Sequence, residues 1–276
     1  MDPIQAIILG VVQGLTEFFP VSSSGHLVLF QHLFGLREPV LFFDISVHVG
    51  TLLAVLVYFY KDIADLLKSV FRFFAQIFMH GTNPSPGWRH DPDLKMAGLI
   101  LLGSIPTAIL GFGFHQISDQ LFASLQVVGF ALFFTAALLV GTRLVSAKGR
   151  DIIEFTVWGA LMVGAAQGLA VIPGISRAGA TIAACLMLGL NRDAAARFSF
   201  LLAIPAILGA LVLNLVSGSS GWEGLSPAVI GLGVLTSAGV GYLALATLIK
   251  IVRHGQLFYF APYCLVIGAV VLFVGK

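Results

Sequence analysis

The stretch QGLTEFFPVSSSGH, from Gln13 to His26, is an apolar segment interrupted midway by proline, serine and glycine. A related stretch, QGLAVIPGISRAG, begins 154 residues later at Gln167 and ends at Gly179. The two copies close on the same dipeptide, Gly35-Leu36 in the first and Gly189-Leu190 in the second. Interrupted apolar segments at corresponding places in two halves of a membrane protein indicate a binding site. The alternative is a chance likeness between two glycine-rich apolar segments.

The composition predicts an integral membrane protein. Of the 276 residues, 58% are hydrophobic and 10% are charged, whereas about 25% of a typical soluble domain is charged. The mean hydropathy is +0.99, and a surface this apolar needs lipid around it. The formal net charge of +2 gives no reason to expect nucleic acid as a partner.

Six apolar stretches reach the roughly 20 residues that a helix needs to cross the hydrocarbon core. They lie near residues 42–60, 96–114, 125–143, 196–217, 226–249 and 257–275. The repeated segments, near 4–35 and 155–190, are too long for one span and have polar residues, proline and glycine at their centres. Irregular backbone at membrane depth is tolerated only where protein or a wet cavity surrounds it. We therefore predict two re-entrant helical hairpins, each of which enters and leaves on the same side.

The positions of lysine and arginine agree with hairpins that do not cross. Most of these residues then fall on one face, and only Arg37 and Lys276 reach the other. This asymmetry obeys the positive-inside rule and places both chain ends outside. The predicted fold is an all-α polytopic membrane protein with a single domain, residues 1–276. It contains two inverted-topology repeats, residues 1–145 and 152–276, each with one re-entrant hairpin and three transmembrane helices.

The tips of the two hairpins carry the ionisable groups. The first tip holds Glu17, Ser22–Ser24 and His26, and the second holds Arg177. Ionisable residues near the bilayer centre cost roughly 2.5–3.5 kcal/mol each on insertion scales, and their default interpretation is functional. An inverted pairing of the repeats would bring the acid of one tip to the base of the other.

Each of these residues also has a structural interpretation. Glu17 and Arg177 would form only an ion pair that links the tips, although buried ion pairs often add little stability. One of Ser22–Ser24 would cap the helix that follows Pro20, and His26 would be a satisfied core histidine. The other polar residues of the membrane segments are interpreted as helix-to-helix hydrogen-bonding groups (Gln13, Gln167), as structural or interfacial groups (His48, His115), or left unassigned (Asp44).

The side chains at the tips together predict a phosphate site. The turns at Ser22–Gly25 and Gly174–Gly179 open helices, whose first N–H groups bind phosphate and other anions. Arg177 adds a planar fork suited to phosphate oxygens. Glu17 suits a divalent metal that bridges to the anion, and Ser23 or His26 suits a nucleophile or a proton-transfer group. We therefore predict metal-assisted phosphoryl transfer on a lipid phosphate.

The segment LGVVQGLTEFFPVSSSGH, Leu9 to His26, together with PGISRAGAT, Pro173 to Thr181, resembles the bacterial undecaprenyl-diphosphate phosphatases, the bacitracin-resistance protein family. The likeness extends over the whole chain. It implies hydrolysis of undecaprenyl diphosphate to the monophosphate carrier lipid of peptidoglycan synthesis and inorganic phosphate. It also implies a need for Mg²⁺ or Ca²⁺, an active site that faces the periplasm from the inner membrane, and bacitracin resistance when the protein is abundant.

The resemblance assigns roles to residues of both tips. It implies that Glu17 and Gln13 are the metal ligands. The implied catalytic residues are Glu17, Ser23, His26 and Arg177. The implied phosphate-binding residues are Ser22, Ser24, Gly25, Gly174, Ser176, Arg177 and Thr181. The chain departs from the family in carrying Ala178 where serine is usual and Gln13 where glutamate is common, so the diphosphate would supply most of the metal's oxygen ligands, which suits Mg²⁺.

Two other classes of function stay open on the sequence. Inverted repeats with broken helices are also transporter architecture, so the main alternative is a transporter or flippase that moves polyprenyl phosphates through the same site. A structural or assembly protein is the third class, and it leaves Glu17 and Arg177 unexplained. The nucleophile, whether Ser23, His26 or water, and the oligomeric state, with a homodimer as one alternative, are also open.

Overall fold

The computed structural model describes residues 1–36, 41–80, 90–115, 121, 124–145, 148–216 and 226–274. Over these ranges the chain is almost entirely helical. The α-helices are α1 (Pro3–Phe18), α2 (Ser23–Leu33), α3 (Leu41–Tyr58), α4 (Tyr60–His80), α5 (Pro92–His115), α6 (Leu125–Gly141), α7 (Val157–Leu169), α8 (Arg177–Met187), α9 (Arg192–Val216), α10 (Pro227–Arg253) and α11 (Ala261–Val274).

The repeated sequence forms two pairs of short helices. The break between α1 and α2 contains Pro20, and the break between α7 and α8 contains Pro173. Proline lacks the N–H that a continuing helix needs, and it disfavours helical geometry in the residue before it. Each copy of the repeated segment is therefore a helix, a break and a second helix.

Both second helices end in the same way. The N–H groups of Gly35 and Leu36 donate to carbonyl oxygens three and five residues back, each at 3.0 Å, and those of Gly189 and Leu190 do the same at 3.0 Å. These paired bonds form a Schellman motif, which needs a left-handed residue after the helix. Gly35 has φ 70° and Gly189 has φ 91°. The closing dipeptide of each copy is thus a helix stop signal.

Within the described ranges, four helices are long and apolar enough to cross a membrane, namely α5, α6, α9 and α10. The pair α3 and α4 is bent by 73° and adds a fifth candidate if it counts as one span. All six predicted spans are helical where the structure describes them, but the last one corresponds to a shorter apolar helix, Leu257–Phe273. The all-helical, multi-pass membrane class is therefore confirmed.

The segment between the first two predicted spans, residues 61–95, is largely a helix, α4. Its exposed apolar side chains recur at helical spacing, with Leu67, Phe71, Phe74 and Phe78 each at least half exposed. Charged residues between them lower the hydropathy of α4 below that of a span, which explains why the sequence pattern missed it. Some polar and charged positions lie outside the described residues, namely most of the segment HGTNPSPGWRHDP (residues 80–92), which includes Arg89, and the residues Arg37 and Lys276.

Glycines let α1 pack closely along α10. A Cβ added to Gly10 would lie 2.8 Å from the carbonyl oxygen of Gly233, and one added to Gly14 would lie 2.9 Å from the nitrogen of Gly241. Both distances are shorter than real Cβ contacts. Small residues at helix crossings allow backbones to touch, which is a common source of stability between membrane helices.

The contact between α7 and α5 is built in the same way. A Cβ on Gly164 would collide with the backbone of Gly103, and one on Gly168 would lie 2.7 Å from the Cβ of Leu110. These two glycines of α7 stand 154 residues after the pair in α1. Hence α1 of the first half packs on α10 of the second half, and α7 of the second half packs on α5 of the first half.

Candidate functional site

The two tips meet through Glu17 and Arg177. Glu17 lies in the last turn of α1, and Arg177 is the first residue of α8. The Arg177 guanidinium donates to the Oε1 atom of the Glu17 carboxylate and forms an ion pair with it. Their side chains are only 16% and 5% exposed. A buried carboxylate is costly unless it is paired and hydrogen-bonded, and Arg177 supplies both interactions across 160 residues of sequence.

Two more side chains donate to the other oxygen of this carboxylate. The Ser23 hydroxyl donates to Glu17 Oε2 at 2.7 Å, and the Gln13 amide donates to the same atom at 3.0 Å. A serine hydroxyl within hydrogen-bond distance of a carboxylate has the geometry of a nucleophile beside its base. The structure therefore joins Ser23, Glu17 and Arg177 in one cluster, with Gln13 beside it.

His48 of α3 is a member of the site that the sequence interpretation placed among structural or interfacial residues. Its Nε2 atom lies 3.6 Å from Glu17 Oε2. Its Nδ1 atom lies 2.7 Å from the carbonyl oxygen of Asp44, one turn earlier. An ionisable residue inside an apolar helix was the available signal for a functional role. The Asp44 carboxylate itself accepts a hydrogen bond from the Gln31 amide at 2.6 Å.

His26 is held apart from this cluster. Its Nδ1 atom lies 2.8 Å from the carbonyl oxygen of Ser22, and its Nε2 atom lies 2.8 Å from the hydroxyl of Tyr263. Both ring nitrogens thus have partners, and neither partner is Ser23 or Glu17. The His26 side chain is buried. Tyr263 carried no signal in the sequence beyond being a tyrosine in an apolar helix.

The Ser22 side chain links the two tips a second time. Its hydroxyl caps α2 by accepting from the Gly25 N–H at 3.4 Å, and it accepts from the Gly174 N–H of the other tip at 3.0 Å. Ser22 has φ 69°, which is uncommon for a residue other than glycine, and such backbone strain clusters at functional sites. The Ser24 hydroxyl lies 3.3 Å from that of Ser22.

The second tip rests on helix α6. The Thr135 hydroxyl donates to the Gly174 carbonyl oxygen at 3.0 Å and accepts from the Ser176 N–H at 3.1 Å. The Ser176 hydroxyl caps α8 through the Gly179 N–H at 3.1 Å. Thr181 is fully buried and shares a 2.5 Å hydrogen bond with Ser199. Several predicted phosphate-binding groups therefore also build the tips, and their contact with phosphate stays a prediction.

The N-termini of α2 and α8 also carry backbone N–H donors near the site. The first amides of a helix have no acceptor within it. Ser22 and Ser176 satisfy the third amide of α2 and of α8, respectively. The first two amides of each helix, from Ser23–Ser24 and Arg177–Ala178, donate to no group of the described residues, so they are candidate donors to a ligand. Together with the Arg177 guanidinium they form a donor set suited to an anion such as phosphate.

The residues around Glu17 fit a metal ion only weakly. The Oε1 atom of Gln13 is buried and has no hydrogen-bond partner among the described residues, and an amide oxygen beside a carboxylate suits Mg²⁺ or Ca²⁺. No group of three or more His, Cys, Asp and Glu residues suited to a metal occurs in the part of the chain that the structure describes. Any ion here would need further oxygen ligands, from water or from a bound substrate.

A buried aromatic cluster begins at the residue next to Glu17. Phe18 follows Glu17, and its ring lies 5.9 Å from that of Phe200, which lies 6.0 Å from that of Phe59. All three side chains are buried. An apolar surrounding strengthens the electrostatic interactions of Glu17 and Arg177 with each other and with a charged ligand.

The two glutamines that the sequence assigns to hydrogen bonds between helices, Gln167 and Gln13, have different kinds of partner. Gln167 donates to the Thr107 hydroxyl at 3.3 Å and to the Leu202 carbonyl oxygen at 3.2 Å. The prediction that it hydrogen-bonds between helices is therefore confirmed. Gln13 instead donates to Glu17 within its own helix. The side chain of His115 lies outside the described residues.

Fold and site together define a class of protein, a multi-pass helical membrane protein with a buried Ser–Glu–Arg cluster where two broken helix pairs meet. A family model described as Bacitracin resistance protein BacA matches residues 6–270. The chain belongs to this family, as its resemblance predicted.

Relatives with a named activity cover the chain from end to end. A protein of Desulfosudis oleivorans named undecaprenyl-diphosphatase is 54% identical over 278 residues, which span 100% of this chain and 99% of that protein. One of the same name from Desulfatibacillum aliphaticivorans is 49% identical, with 99% and 98% covered. Another, from Korarchaeum cryptofilum, is 42% identical, with 99% of each chain covered.

Proposed function

We propose that this protein is a membrane phosphatase that hydrolyses undecaprenyl diphosphate to undecaprenyl phosphate and inorganic phosphate. The observation that carries the proposal is the buried cluster of the Ser23 hydroxyl, the Glu17 carboxylate and the Arg177 guanidinium. The named activity of the relatives supports it. In a bacterial inner membrane the product is the carrier lipid that peptidoglycan synthesis reuses, and the family is described as a bacitracin resistance protein.

The donors at the tips bind the diphosphate. A guanidinium has five N–H donors, so Arg177 can contact phosphate oxygens while it stays paired with Glu17. The first amides of α2 and α8 point the positive ends of two helices at the same ligand. The prenyl chain extends into the lipid around the helices, because the protein surface there is apolar.

Ser23 is the nucleophile that the geometry favours. Its Oγ atom attacks the terminal phosphorus while Glu17 Oε2 accepts the hydroxyl proton. The bond from that phosphorus to the bridging oxygen breaks, and undecaprenyl phosphate leaves with the electron pair. Water then attacks the phosphoserine phosphorus, Glu17 returns the proton to Ser23 Oγ, and inorganic phosphate leaves. His26 and water remain the other candidate nucleophiles.

Mg²⁺ or Ca²⁺ is the proposed cofactor. Glu17 and the unpaired Oε1 atom of Gln13 would hold it, with oxygens of the diphosphate as further ligands. The ion would neutralise charge on the phosphate groups. The comparisons favour the phosphatase over a transporter or flippase, since the relatives described above carry an enzyme's name.

We also propose the finer topology. Three features support two inverted repeats, residues 1–145 and 152–276, each with a re-entrant hairpin. They are the paired helix breaks, the matching Schellman motifs, and the close glycine contacts of α1 with α10 and of α7 with α5. The positive-inside rule puts both chain ends outside, and the resemblance to the family implies that the site faces the periplasm. Alkaline phosphatase fused after Lys276 should then be active in cells. An inactive fusion beside a fluorescent GFP fusion at the same point would contradict this topology.

The test of the function is phosphate release by the purified full-length protein in detergent. A short-chain prenyl diphosphate serves as substrate, with and without EDTA. We expect release that EDTA abolishes and that added Mg²⁺ or Ca²⁺ restores. Release that persists in EDTA would refute the cofactor. The absence of release with every divalent metal, alongside intact movement of lipid phosphate across vesicles, would refute the phosphatase and favour the flippase.

A further inference from the structure

Tyr263 lies outside both repeated segments and yet contacts the first tip. It belongs to α11, and its hydroxyl oxygen lies 2.8 Å from the Nε2 atom of His26. The two rings are stacked, with an angle of 11° between their planes and 5.7 Å between their centroids. The contact joins residues 237 positions apart.

The neighbours of Tyr263 fix its place against the tip. The Cys264 thiol donates to the Pro20 carbonyl oxygen at 3.3 Å. The ring of Phe260 lies 5.3 Å from that of Phe19. Both partners, Phe19 and Pro20, lie in the break between α1 and α2, so the start of α11 is packed directly on this break.

The hydrogen bonds of His26 select one tautomer. The Nδ1 atom lies 2.8 Å from the Ser22 carbonyl oxygen, and a carbonyl oxygen can only accept, so Nδ1 carries the proton of the neutral ring. The Nε2 atom is then an acceptor, and the Tyr263 hydroxyl donates to it. The Ser22 backbone and the Tyr263 side chain together hold the ring in one orientation.

We propose that Tyr263 is a positioning residue of the site, whose hydroxyl donates to Nε2 and so holds the His26 ring in one orientation with Nε2 unprotonated. The proposal rests on the proposed function, because it takes the His26 ring held in this way to exchange a proton with the substrate or water at Nε2, in place of the hydrogen bond from Tyr263. Without the hydroxyl, the neutral ring loses the donor that opposes rotation or a change of tautomer. The reaction step should slow, while binding of the diphosphate by Arg177 and the helix amides should not change.

The test variant is Tyr263→Phe, which keeps the stacked ring and removes only the hydroxyl. Tyr259→Phe is the matched control, since Tyr259 is 64% exposed in the short turn before α11. One neutral hydrogen bond is worth about 0.5–1.5 kcal/mol, so we expect kcat to fall by about two- to tenfold. We expect KM to stay within about twofold, and the control to match the wild type.

The second readout is the ¹⁵N NMR spectrum of histidine-labelled protein without substrate, with His26→Gln identifying the His26 signals. In the wild type we expect a protonated Nδ1 and an unprotonated, hydrogen-bonded Nε2, and in Tyr263→Phe a shifted Nε2 signal. An unchanged Nε2 signal would refute the hydrogen bond, whatever the activity. A shifted signal with unchanged kcat would refute the positioning role. A wild type that releases no phosphate would refute the proposed function separately.

Discussion

Glu17 is the residue on which the site depends. Its carboxylate accepts from Arg177 on one oxygen and from Ser23 and Gln13 on the other. A purely structural ion pair would explain the contact with Arg177, but it gives no reason for a serine hydroxyl and a half-buried histidine to converge on the same carboxylate. The geometry instead matches a base that is held between its proton donor and an anion-binding cation.

The role of Ser23 can be tested by removing its hydroxyl. Ser23→Ala should lower kcat for phosphate release by at least about a hundredfold, the lower end of what general acid–base and nucleophilic groups contribute. Thermal unfolding should change little, because the hydroxyl is only partly buried. Ser104→Ala is the matched control, since that hydroxyl bonds to a carbonyl oxygen of its own helix. A Ser23→Ala variant with more than half of the wild-type kcat would leave His26 or water as the nucleophile.

Not every member of the site could be predicted from the sequence. Glu17, Ser23 and Arg177 were predictable, because ionisable and nucleophilic residues beside proline and glycine stand out in apolar segments. Tyr263 was not predictable, and the ionisable character of His48 did not show which site it joins, since each lies on a different helix from the tips and reaches the site only through packing. The repeat likewise gave no sign that Ser22 would hold the Gly174 N–H.

At the level of helices, the interrupted segments depend on close packing with α10 and α5. The glycines that permit this packing recur at the same places in both copies, so they are part of what the repeat encodes. Helix α4 shows the limit of such inference, because its charged and apolar residues alternate and resemble a polar connection. It is bent by 73° from α3, and Arg197 of α9 forms ion pairs with Asp62 of α4 and with Asp93 of α5.

The packing can be tested at Gly14. A Cβ there would lie 2.9 Å from the backbone nitrogen of Gly241, which cannot move without displacing α10, so Gly14→Ala should lower the melting temperature in detergent. Overpacking typically costs about 1–3 kcal/mol. Gly239→Ala is the control, because no atom lies within 4 Å of the position that its added Cβ would take, and a helical glycine-to-alanine change in open space is neutral or stabilising. Equal melting temperatures for the two variants would contradict the close α1–α10 contact.

For the whole molecule, the central feature is that two distant parts of the chain build one site. Arg177 comes from the later copy of the repeat, whereas Glu17 and Ser23 come from the earlier one. The copies share the features that form the breaks and the helix stops. They differ in their charged residues, because the first copy alone carries Glu17 and the second alone carries Arg177.

Variants at Arg177 and Glu17 can show whether this ion pair only stabilises the fold or also acts in the reaction. Loss of one partner from a buried pair costs about 3–5 kcal/mol, whereas replacing both charges is often neutral. Arg177→Met alone should therefore be destabilised and inactive. The double variant Glu17→Gln with Arg177→Met should recover the thermal stability but not the activity. Arg72→Ala, an exposed arginine on α4, is the control for loss of positive charge.

The most direct test of the account is the rate of phosphate release from a prenyl diphosphate by this stability-matched double variant. If Glu17 and Arg177 act on the substrate, release should fall to the background rate while the melting temperature stays near that of the wild type and Arg72→Ala remains active. A double variant that is folded and releases phosphate at more than half of the wild-type rate would show that the cluster only holds the two tips together, and it would contradict the proposed active site.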